Sequence, residues 1–497
     1  VLDRGGQAMV LVPEIGLTAQ TVGRFSQRFA TQIAVFHSGL TDRERLVAWN
    51  AARNGDAGIV IGTRSAVFTP LARPGLIVID EEHDPSFKQQ DGLRYSARDS
   101  AIYRARAEKT PIILGSATPS LESLHNAQCG KYQHLILTHR AGNAPMPSVE
   151  FIDIRHLTLH EGLSDAAITA IASAVQAGEQ VMVFVNRRGF APLLMCHDCG
   201  WHAECNHCDA RLTLHQRPRR LHCHHCDQQT AMPQQCPRCQ SSQLLSIGQG
   251  TQRSAEALRL LFPDTPLIRI DRDSTSRKDA FNREIDTILR GDPAILVGTQ
   301  MLAKGHHFPR LSTVVVLDID QGLYNPDFRG PEKTLQLLSQ VAGRAGREQL
   351  AGRVLIQTHL PDHPLLTHWR DNSYQGCTAQ LLAERRAQHA PPFTYMACLR
   401  ADAKKPGQAM HALAELVQQC FSGRHRVNGE SDSYCQLLGP LPAVMERRAG
   451  WHRAQLVLNA SHRKLLHQCV AQCVSTLGVS GKNGLRWAVD IDPQELL

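Results

Sequence analysis

An apolar run that ends in three carboxylates and a histidine, Leu76-Ile77-Val78-Ile79-Asp80-Glu81-Glu82-His83, constrains the fold of this chain most. Four consecutive apolar residues predict a strand buried on both faces, as in a parallel sheet. Carboxylates that follow such a strand lie at the edge where open α/β sheets bind ligands. In a nucleotide hydrolase, Asp80 would hold Mg²⁺ and Glu81 would polarise the attacking water. The alternative is a strand followed by an ordinary acidic turn.

The sequence on both sides of this run alternates short apolar strands with helical segments. The first series has candidate strands at residues 7–13, 33–37, 58–63, 76–80 and 111–116, with amphipathic stretches at 18–29 and 42–53. A second series has candidate strands at 149–154, 180–186, 267–271, 294–299, 313–320 and 353–358. This alternation predicts two parallel sheets covered by helices. No window approaches 18 apolar residues, so no membrane span is predicted.

Eight of the 15 cysteines form four Cys-x-x-Cys pairs inside the second series. Such clustering indicates metal binding in a reducing compartment better than a disulfide framework, and four pairs in one short segment are a strong zinc signal. The segment interrupts the second sheet as an insertion, which costs little loop-closure entropy. The pairs are Cys196/Cys199, Cys205/Cys208, Cys223/Cys226 and Cys236/Cys239.

The spacing of the pairs predicts two nested zinc sites. Only five residues separate the first two pairs, whereas 14 separate the second from the third, as in a zinc ribbon. We therefore expect pairs two and three to share one zinc ion and pairs one and four the other. Nearby histidines, including His197 and His222, could replace a thiolate. Four thiolates leave no open position, so both ions are expected to be structural and to supply folding energy.

Basic and aromatic residues follow the acidic turn and favour a nucleic-acid contact. Phe87 and Tyr95 offer aromatic rings on which bases could stack, and Lys88 and Arg94 offer positive charge for the phosphate backbone. Arg64 follows an earlier strand end whose hydroxyls and N–H groups suit phosphates. The alternative is a solvated loop with two anchoring aromatics. The net charge of +8 permits a polyanionic partner without requiring one.

Two arginines near the end of the second series, Arg344 and Arg347, are spaced to share one helix face. A guanidinium fork suits the charge that develops on a transferred phosphoryl group. A lone Arg-x-x-Arg is usually a solvated helix face. The longer pattern Gln-x-x-Gly-Arg-x-Gly-Arg, at residues 340–347 of an α/β domain, is much more specific.

Asp80-Glu81-Glu82-His83, Gly115-Ser116-Ala117-Thr118 and residues 340–347 resemble, in the right order, three motifs of superfamily 2 helicases. With residues 12–20, 184–190 and 304–309 and the nested cysteines, the chain resembles the replication-restart helicases of that superfamily. The resemblance implies an α/β fold with two RecA-like parallel-sheet lobes, the first one incomplete, a zinc-ribbon-like insertion in the second lobe and an α+β C-terminal domain that binds DNA. The implied boundaries are 1–140, 141–195, 196–240, 241–359 and 360–497.

The resemblance also implies a function, an ATP-dependent 3′–5′ DNA helicase that recognises stalled or recombined replication forks and assembles the primosome. Gln340 and Gly305 would contact ATP beside Asp80 and Glu81, whereas Thr299 and Lys304 would contact DNA. The implied cofactors are two zinc ions, ATP and Mg²⁺. The implied partners are branched and single-stranded DNA, single-strand-binding protein and other primosome proteins. The expected location is the cytoplasm, with no membrane partner.

One departure from the family pattern concerns the phosphate-binding loop, because Gly-x-x-x-x-Gly-Lys-Ser/Thr occurs nowhere in the 497 residues. We therefore expect the chain to begin after that loop and to hydrolyse ATP poorly by itself. One alternative is a helicase-like subunit of a restriction or repair nuclease, although no metal-nuclease carboxylate cluster is evident. Another is a non-catalytic zinc scaffold that binds DNA or partner proteins.

Overall fold

The computed structural model describes residues 1–13, 19–137, 146–186, 193–206, 212–216, 219–223, 228–247, 251–270, 288–299, 302, 308, 310–325, 327–346, 351–423, 426–428, 433–478 and 484–496. The chain divides into two compact units, which are Val1–His134 with Met301–His307, and Leu135–Gln300 with Phe308–Leu497. Within the described ranges, no helix combines the length and the apolar character needed to cross a membrane.

The first unit is built on a five-stranded sheet in which all neighbouring strands are parallel. The spatial order of its strands is β2-β3-β1-β4-β5. Each strand lies within two residues of the bounds predicted from the apolar runs. The strands are β1 (Gln7–Leu11), β2 (Gln32–Phe36), β3 (Ala57–Gly62), β4 (Pro74–Asp80) and β5 (Ile112–Gly115).

Four helices accompany this sheet among the residues described, namely α1 (Ala19–Arg28), α2 (Asp42–Asn54), α3 (Ala97–Ala107) and α4 (Leu121–Gln128). Capping side chains fix where two of these helices begin. Thr41 and Glu44 form a reciprocal capping box at the start of α2, and the Ser120 side chain caps α4. Ile77 and Ile79 of β4 are fully buried and pack in one cluster with alanines of α3.

The second unit contains a six-stranded parallel sheet in the order β13-β14-β7-β15-β16-β6. Its central strands β7 and β15 are buried along their whole length, as expected for a sheet covered on both faces. The strands are β6 (Ser148–Asp153), β7 (Gln180–Val185), β13 (Leu267–Ile270), β14 (Ala294–Gly298), β15 (Leu311–Leu317) and β16 (Arg353–Thr358). The prediction of two RecA-like parallel-sheet lobes is confirmed.

The cysteine-rich insertion forms its own antiparallel sheet, in the order β11-β10-β9-β8-β12. Its first and last strands pair with each other, so that Leu193 lies opposite Ile247. The insertion therefore leaves the second lobe and returns to it through neighbouring strands. The five strands are β8 (Leu193–Cys196), β9 (Thr213–Gln216), β10 (Arg219–His222), β11 (Gln229–Ala231) and β12 (Leu244–Ile247).

In the described part of the C-terminal domain, two helices pack on an antiparallel sheet, in agreement with the predicted α+β class. Its strands, in the spatial order β18-β19-β20-β17-β21, are β17 (Tyr395–Ala403), β18 (Arg426–Asn428), β19 (Tyr434–Arg448), β20 (Trp451–Ala460) and β21 (Leu485–Ile491). The helices of the second unit are α5 (Asp165–Gln176), α6 (Thr251–Leu261), α7 (Asp320–Leu323), α8 (Gly330–Ala342), α9 (Pro364–Ala387), α10 (Gln408–Phe421) and α11 (Arg463–Leu477). Apolar residues of α10 and α11 pack on one face of this sheet.

Candidate functional site

Asp80 lies at the carboxyl edge of the first parallel sheet, as the sequence predicts. It is the last residue of β4 and pairs in register with Gly115, the last residue of β5. The residue reaches solvent, yet partial burial of its carboxyl group raises the pKa of Asp80. The backbone N–H of Glu81, which donates to Oδ1 at 3.1 Å, opposes this shift. An accessible carboxylate at this edge is suited to a hydrated divalent cation.

Glu81 lies at a sharp turn of the backbone directly after β4, and its carboxylate faces His83. Its φ of 51° lies in the left-handed region, which few non-glycine residues occupy. The Oε2 atom of Glu81 lies 3.6 Å from Nδ1 of His83. Backbone strain of this kind persists where the surrounding structure fixes it, and it is concentrated at functional sites.

Glu82 is a structural anchor and not part of the accessible edge. It is 2% exposed, and its carboxylate accepts hydrogen bonds from the Ser120 N–H at 2.6 Å and from Arg98 Nη1 at 3.1 Å. The hydroxyls of Ser120 and Ser123 add bonds of 3.1 and 3.0 Å. A buried carboxylate with this many donors is well satisfied, so Glu82 fixes the start of α4 against the end of β4.

His83 joins the acidic turn to the segment that follows β5. Its Nδ1 lies 2.7 Å from the Ser116 hydroxyl, and its Nε2 lies 3.4 Å from the Thr118 hydroxyl. The Ser116 hydroxyl also accepts from the Thr118 N–H at 2.9 Å. Two segments that are distant in sequence but adjacent at the sheet edge are therefore tied by one imidazole. The sequence placed all three residues in motifs but did not predict these contacts.

The expectation that Phe87 and Lys88 contact nucleic acid directly is wrong for this structure. Phe87 is 2% exposed and belongs to the core of the first sheet, and Lys88 is 4% exposed. A short 3-10 turn at Pro85–Phe87 directs the Phe87 ring inward. Burial leaves no ring face on which a base could stack.

The other predicted DNA-contact residues near this turn differ in accessibility. Arg64 donates from Nη1 to the carbonyls of Ser86 and Lys88, both at 3.2 Å, so it positions the turn. Tyr95 is half-buried, and its ring packs edge-on against Phe68 at 4.8 Å between centroids. Arg94 is half-buried, and its Nε donates to the Gln90 carbonyl at 2.8 Å. Arg94 and Tyr95 stay candidates for a nucleic-acid contact.

In the second lobe, Gln340 lies in the last turn of α8 and is half-buried. The helix ends at Ala342, so Arg344 lies in the turn beyond it. The expectation that Arg344 occupies a helix face is therefore wrong, because the chain leaves the helix at Gly343. Thr299 directly follows β14 and is half-buried. Three predicted site residues, Lys304, Gly305 and Arg347, lie outside the described residues.

The first and fourth cysteine pairs form one cluster, as the nesting predicts. The Sγ atoms of Cys196, Cys199, Cys236 and Cys239 all lie within 4.8 Å of one another. Sγ–Sγ distances of 3.6 Å join Cys196 to Cys239 and Cys199 to Cys236. Tetrahedral Zn–S bonds of about 2.3 Å require sulfur atoms about 3.8 Å apart, so the cluster fits zinc.

Local hydrogen bonding in the fourth pair favours a thiolate. Burial opposes ionisation of Cys236, but backbone N–H donors from Cys239 and Arg238 lower its pKa to about 7. The Arg238 N–H lies 3.4 Å from Cys236 Sγ. The thiolate is the form that ligates metal, so this turn is organised for a zinc ion.

The second predicted cluster is described only in part. Cys205 and Cys223 are both buried and share one apolar cluster of the insertion, whereas Cys208 and Cys226 lie outside the described residues. Cys205 Sγ donates to the Gln228 Oε1 at 2.9 Å. The pairing of these four cysteines stays a prediction.

A polar chain that the sequence did not predict docks the first zinc turn on the second lobe. Asp320, at the start of α7, is 2% exposed and accepts from Nδ1 of His359 at 2.8 Å and from the His359 N–H at 2.9 Å. The Nε2 of His359 lies 3.1 Å from Nδ1 of His197, which belongs to the Cys196–Cys199 turn. His202 stacks on Tyr324 nearby, with 4.1 Å between ring centroids.

Asp318, two residues before Asp320, is a half-buried residue that directly follows β15. Its φ is 57°, again in the left-handed region. Burial, followed by the negative charge of Asp320, raises the pKa of Asp318 to about 6. The two carboxylates therefore differ in their surroundings. Asp320 accepts hydrogen bonds from His359, whereas Asp318 is poorly solvated.

Family models match three parts of the chain. Residues 1–127 match the DEAD/DEAH box helicase model, residues 205–230 match the PriA DNA helicase Cys-rich region domain, and residues 386–494 match the Primosomal protein N C-terminal domain. Among solved structures, similarity to RecG bound to a three-way DNA junction has a TM-score of 0.41 and 16% identity, over 76% of this chain and 40% of that one. That likeness is too low to bear on function.

Curated relatives match the chain over nearly its whole length. It is 45% identical to the Replication restart protein PriA of Haemophilus influenzae, covering 100% of this chain and 67% of that protein. Identity to the Bacillus subtilis protein of the same name is 39%, covering 92% of this chain and 56% of that protein. For Treponema pallidum the identity is 37%, covering 100% and 74%. With these relatives and the three matching domains, the chain belongs to the PriA family of replication restart proteins.

Proposed function

We propose that the chain is the motor and C-terminal part of an ATP-dependent DNA helicase that moves 3′ to 5′ along DNA. The observation that carries the proposal is the edge of the first sheet, where the Asp80 carboxylate reaches solvent and His83 bonds Ser116 and Thr118. Family membership supports it. Since the chain spans between about half and three quarters of its relatives, the activity of the whole protein is inferred.

Each predicted catalytic residue has a role in this proposal. When bound, ATP would supply the reactive phosphoryl group and Mg²⁺ would neutralise its charge; Asp80 would hold the cation and Glu81 would orient the attacking water. Arg344 and Arg347 would stabilise the charge that develops on the γ-phosphate. Gln340 and Gly305 would contact the nucleotide. Through its hydrogen bonds with Ser116 and Thr118, His83 would couple the conformation of the acidic turn to that of the segment after β5.

The proposed biological role is replication restart in the cytoplasm. The helicase would recognise stalled or recombined forks, bind branched and single-stranded DNA, and assemble the primosome with single-strand-binding protein and other primosome proteins. Arg94, Tyr95, Thr299 and Lys304 are the proposed DNA contacts near the motor. Two structural zinc ions per chain are proposed, one at the cluster described above and one at the second set of cysteines.

Residues 1–497 are proposed to hydrolyse ATP slowly by themselves, because no phosphate-binding loop pattern occurs among them. A longer form with that loop is proposed to show DNA-stimulated ATPase activity. In it, Glu81→Gln should abolish turnover and leave DNA affinity and zinc content unchanged. Asp91→Asn, at an exposed acid in the loop that follows, is the matched control and should be active.

The same experiment decides between a motor and a non-catalytic zinc scaffold. If the longer form shows no DNA-stimulated ATPase activity, or if Glu81→Gln and Asp91→Asn behave alike, the catalytic assignment fails. The scaffold function would then be the better account of the protein.

A further inference from the structure

The helix α8 carries a row of polar side chains on a face that is turned away from solvent. Glu332 and Gln336 are buried, and Ser339 is half-buried. These residues are four and three positions apart, so they lie on one face of the helix. Buried polar groups are hydrogen-bonded in native structures, so their partners show what holds α8 in place.

The helix α9 supplies partners along this row. Trp369 Nε1 donates to the Ser339 hydroxyl at 2.8 Å, and Gln336 Nε2 donates to the Tyr374 hydroxyl at 3.3 Å. Positions five apart face different sides of a straight helix, but α9 is broken between them at Ser373, whose φ is 61°. Both halves of α9 therefore contact the same face of α8.

A buried ion pair holds the start of α8. Arg385 of α9 donates from Nη2 to Glu332 Oε2 at 2.6 Å and from Nη1 to the Pro391 carbonyl at 2.7 Å, and both charged side chains are almost fully buried. The Arg385 Cζ also lies 4.4 Å from the centroid of the Phe328 ring. Two charge-assisted bonds in different directions fix the guanidinium, so they also fix where Glu332 can lie.

The segment that follows β21 holds the same end of α8. Lys333 Nζ donates to the Gln494 carbonyl at 2.6 Å, and the Leu496 N–H donates to Asp327 Oδ2 at 3.1 Å. Leu496 also packs on the apolar cluster that contains Met396 of β17. The start of α8 is therefore fastened to two separate parts of the C-terminal region.

The opposite end of α8 carries the proposed nucleotide contacts. Gln340 lies in the last turn of the helix, and the Arg344 N–H donates to the Val341 carbonyl at 3.1 Å. The backbone at Arg344 is therefore tied to the helix, although it lies beyond the last helical residue. A rotation or shift of α8 along its axis would displace Gln340 and Arg344 together.

We propose that Glu332 and Arg385 are positioning residues for ATP hydrolysis. Their ion pair sets the register of α8 against the C-terminal region, and α8 orients Gln340 and Arg344 toward the nucleotide. This inference rests on the ATP-driven function proposed above and adds two residues that do not themselves touch ATP. A misplacement of about 1 Å at a reacting group can cost about 10²-fold in rate, so the register of one helix matters for turnover.

The test replaces both partners together in the longer form, as Glu332→Leu with Arg385→Met. Replacing a buried ion pair by apolar residues is often neutral for stability, but apolar contacts are not directional, so α8 should stay folded and lose its fixed register. We expect kcat of DNA-stimulated ATP hydrolysis to fall about 10-fold and KM for ATP to change less than about 2-fold. The thermal midpoint checks that the variant is folded.

The matched control is Glu384→Leu with Arg386→Met, on the exposed face of the same helix. Arg386 Cζ lies 4.4 Å from the centroid of the Phe393 ring, the same distance as that of Arg385 from the Phe328 ring. This control should keep the kcat of the unaltered protein. Without nucleotide, amide hydrogens at the end of α8 in residues 1–497 should exchange faster in the test variant than in the control.

The positioning role is overturned if the folded test variant hydrolyses ATP as fast as the control, or if KM rises while kcat is unchanged. If the test variant fails to fold, Arg385→Lys and Arg386→Lys decide by the same comparison. Lysine keeps the charge beside Glu332 but lacks the planar fork that also reaches the Pro391 carbonyl, so only Arg385→Lys should lower kcat.

Failure of this inference differs from failure of the motor assignment. Normal turnover in the unaltered longer form, with equal kcat in the test and control variants, rejects the positioning role alone. No turnover in the unaltered longer form rejects the motor, and the positioning role with it. Faster amide exchange at the end of α8 would then show only that the ion pair stabilises the helix.

Discussion

His197 Nδ1 lies 3.1 Å from His359 Nε2, and each imidazole makes a second polar contact through its other ring nitrogen. His359 Nδ1 faces the Asp320 carboxylate at 2.8 Å, and His197 Nε2 faces the Leu157 carbonyl at 2.8 Å. Both ends of this series of contacts are oxygen atoms, so the two imidazoles join the Cys196–Cys199 turn to two other segments of the second unit.

This pair should control how firmly the first zinc turn is docked. Replacing His359 by alanine removes the link between Asp320 and His197, so amide hydrogens in the Cys196–Cys199 turn should exchange faster while zinc content stays unchanged. Hydrogen-exchange mass spectrometry of the zinc-loaded protein measures this. His411→Ala, at an exposed histidine of α10, is the control. Equal amide exchange rates in the His359→Ala and His411→Ala variants would show that the contact between His359 and His197 does not hold this turn in place.

Glu81 and Glu82 are adjacent, but replacement by glutamine should lower the stability of the fold only at Glu82. Glu82→Gln removes the buried carboxylate that pairs with Arg98 Nη1 at 3.1 Å, and loss of one partner of a buried ion pair costs about 3 kcal/mol. Faster hydrogen exchange at the start of α4 and a lower unfolding midpoint are the expected results. Glu81→Gln should leave both values near those of the unaltered chain. Destabilisation by Glu81→Gln alone would reverse the assigned roles.

Zinc content should follow individual cysteines. Cys239→Ser should lose one zinc equivalent per chain, since Cys239 belongs to the four-sulfur cluster. Cys205→Ser should lose the second equivalent if the other four cysteines form a site. Cys129→Ser, at an exposed cysteine outside the insertion, should lose none. Elemental analysis of freshly reduced protein checks all three, and a total of one zinc in the unaltered chain would reject the two-site proposal.

The raised pKa of the half-buried Asp318 predicts a defined pH dependence of stability. Its folded-state pKa, about 6, exceeds the ordinary value of 3.8, so its contribution is fully present below about pH 4 and is lost as pH rises through 6. The difference of about 2 pKa units corresponds to about 3 kcal/mol at most. Asp318→Asn removes this loss, so its thermal midpoint should exceed that of the unaltered protein by more at pH 8 than at pH 5. A constant difference would exclude the effect.

Arg344→Ala and Arg347→Ala should each lower DNA-stimulated ATP turnover by ~10³-fold or more in the longer form, if they stabilise the transferred phosphoryl group. The folding midpoint should not change. Arg353→Ala removes an exposed arginine that pairs with Glu150, and it should be fully active. Loss of activity in that control would mean that the effect is not specific to phosphoryl transfer.

Sequence patterns predicted the parallel sheets well because buried strands appear in the sequence as uninterrupted apolar runs. Runs such as that ending at Asp80 are apolar throughout, and small polar residues mark their ends. The first zinc cluster was also predictable, since ligand type and spacing are written in the sequence. Family membership then supported the assignment that the motifs had suggested.

Side-chain direction was less predictable because it depends on turns whose backbone is not periodic. Phe87 looked like a stacking residue, but a 3-10 turn directs it into the core. Arg344 looked helical, but α8 ends two residues earlier. The contact between His197 and His359 joins residues 162 positions apart, and no local pattern signals such a pair.

Because Leu193 pairs with Ile247, the two ends of the zinc-binding insertion lie side by side, and the insertion could be removed as one unit. Opposed residues of an antiparallel pair are about 5 Å apart, so a short linker could close the lobe once the insertion is removed. The parent sheet would then fold with fewer residues between β7 and α6, and its topology would be unchanged. This strand pair is therefore the natural place at which to cut the chain when the insertion is to be removed or replaced.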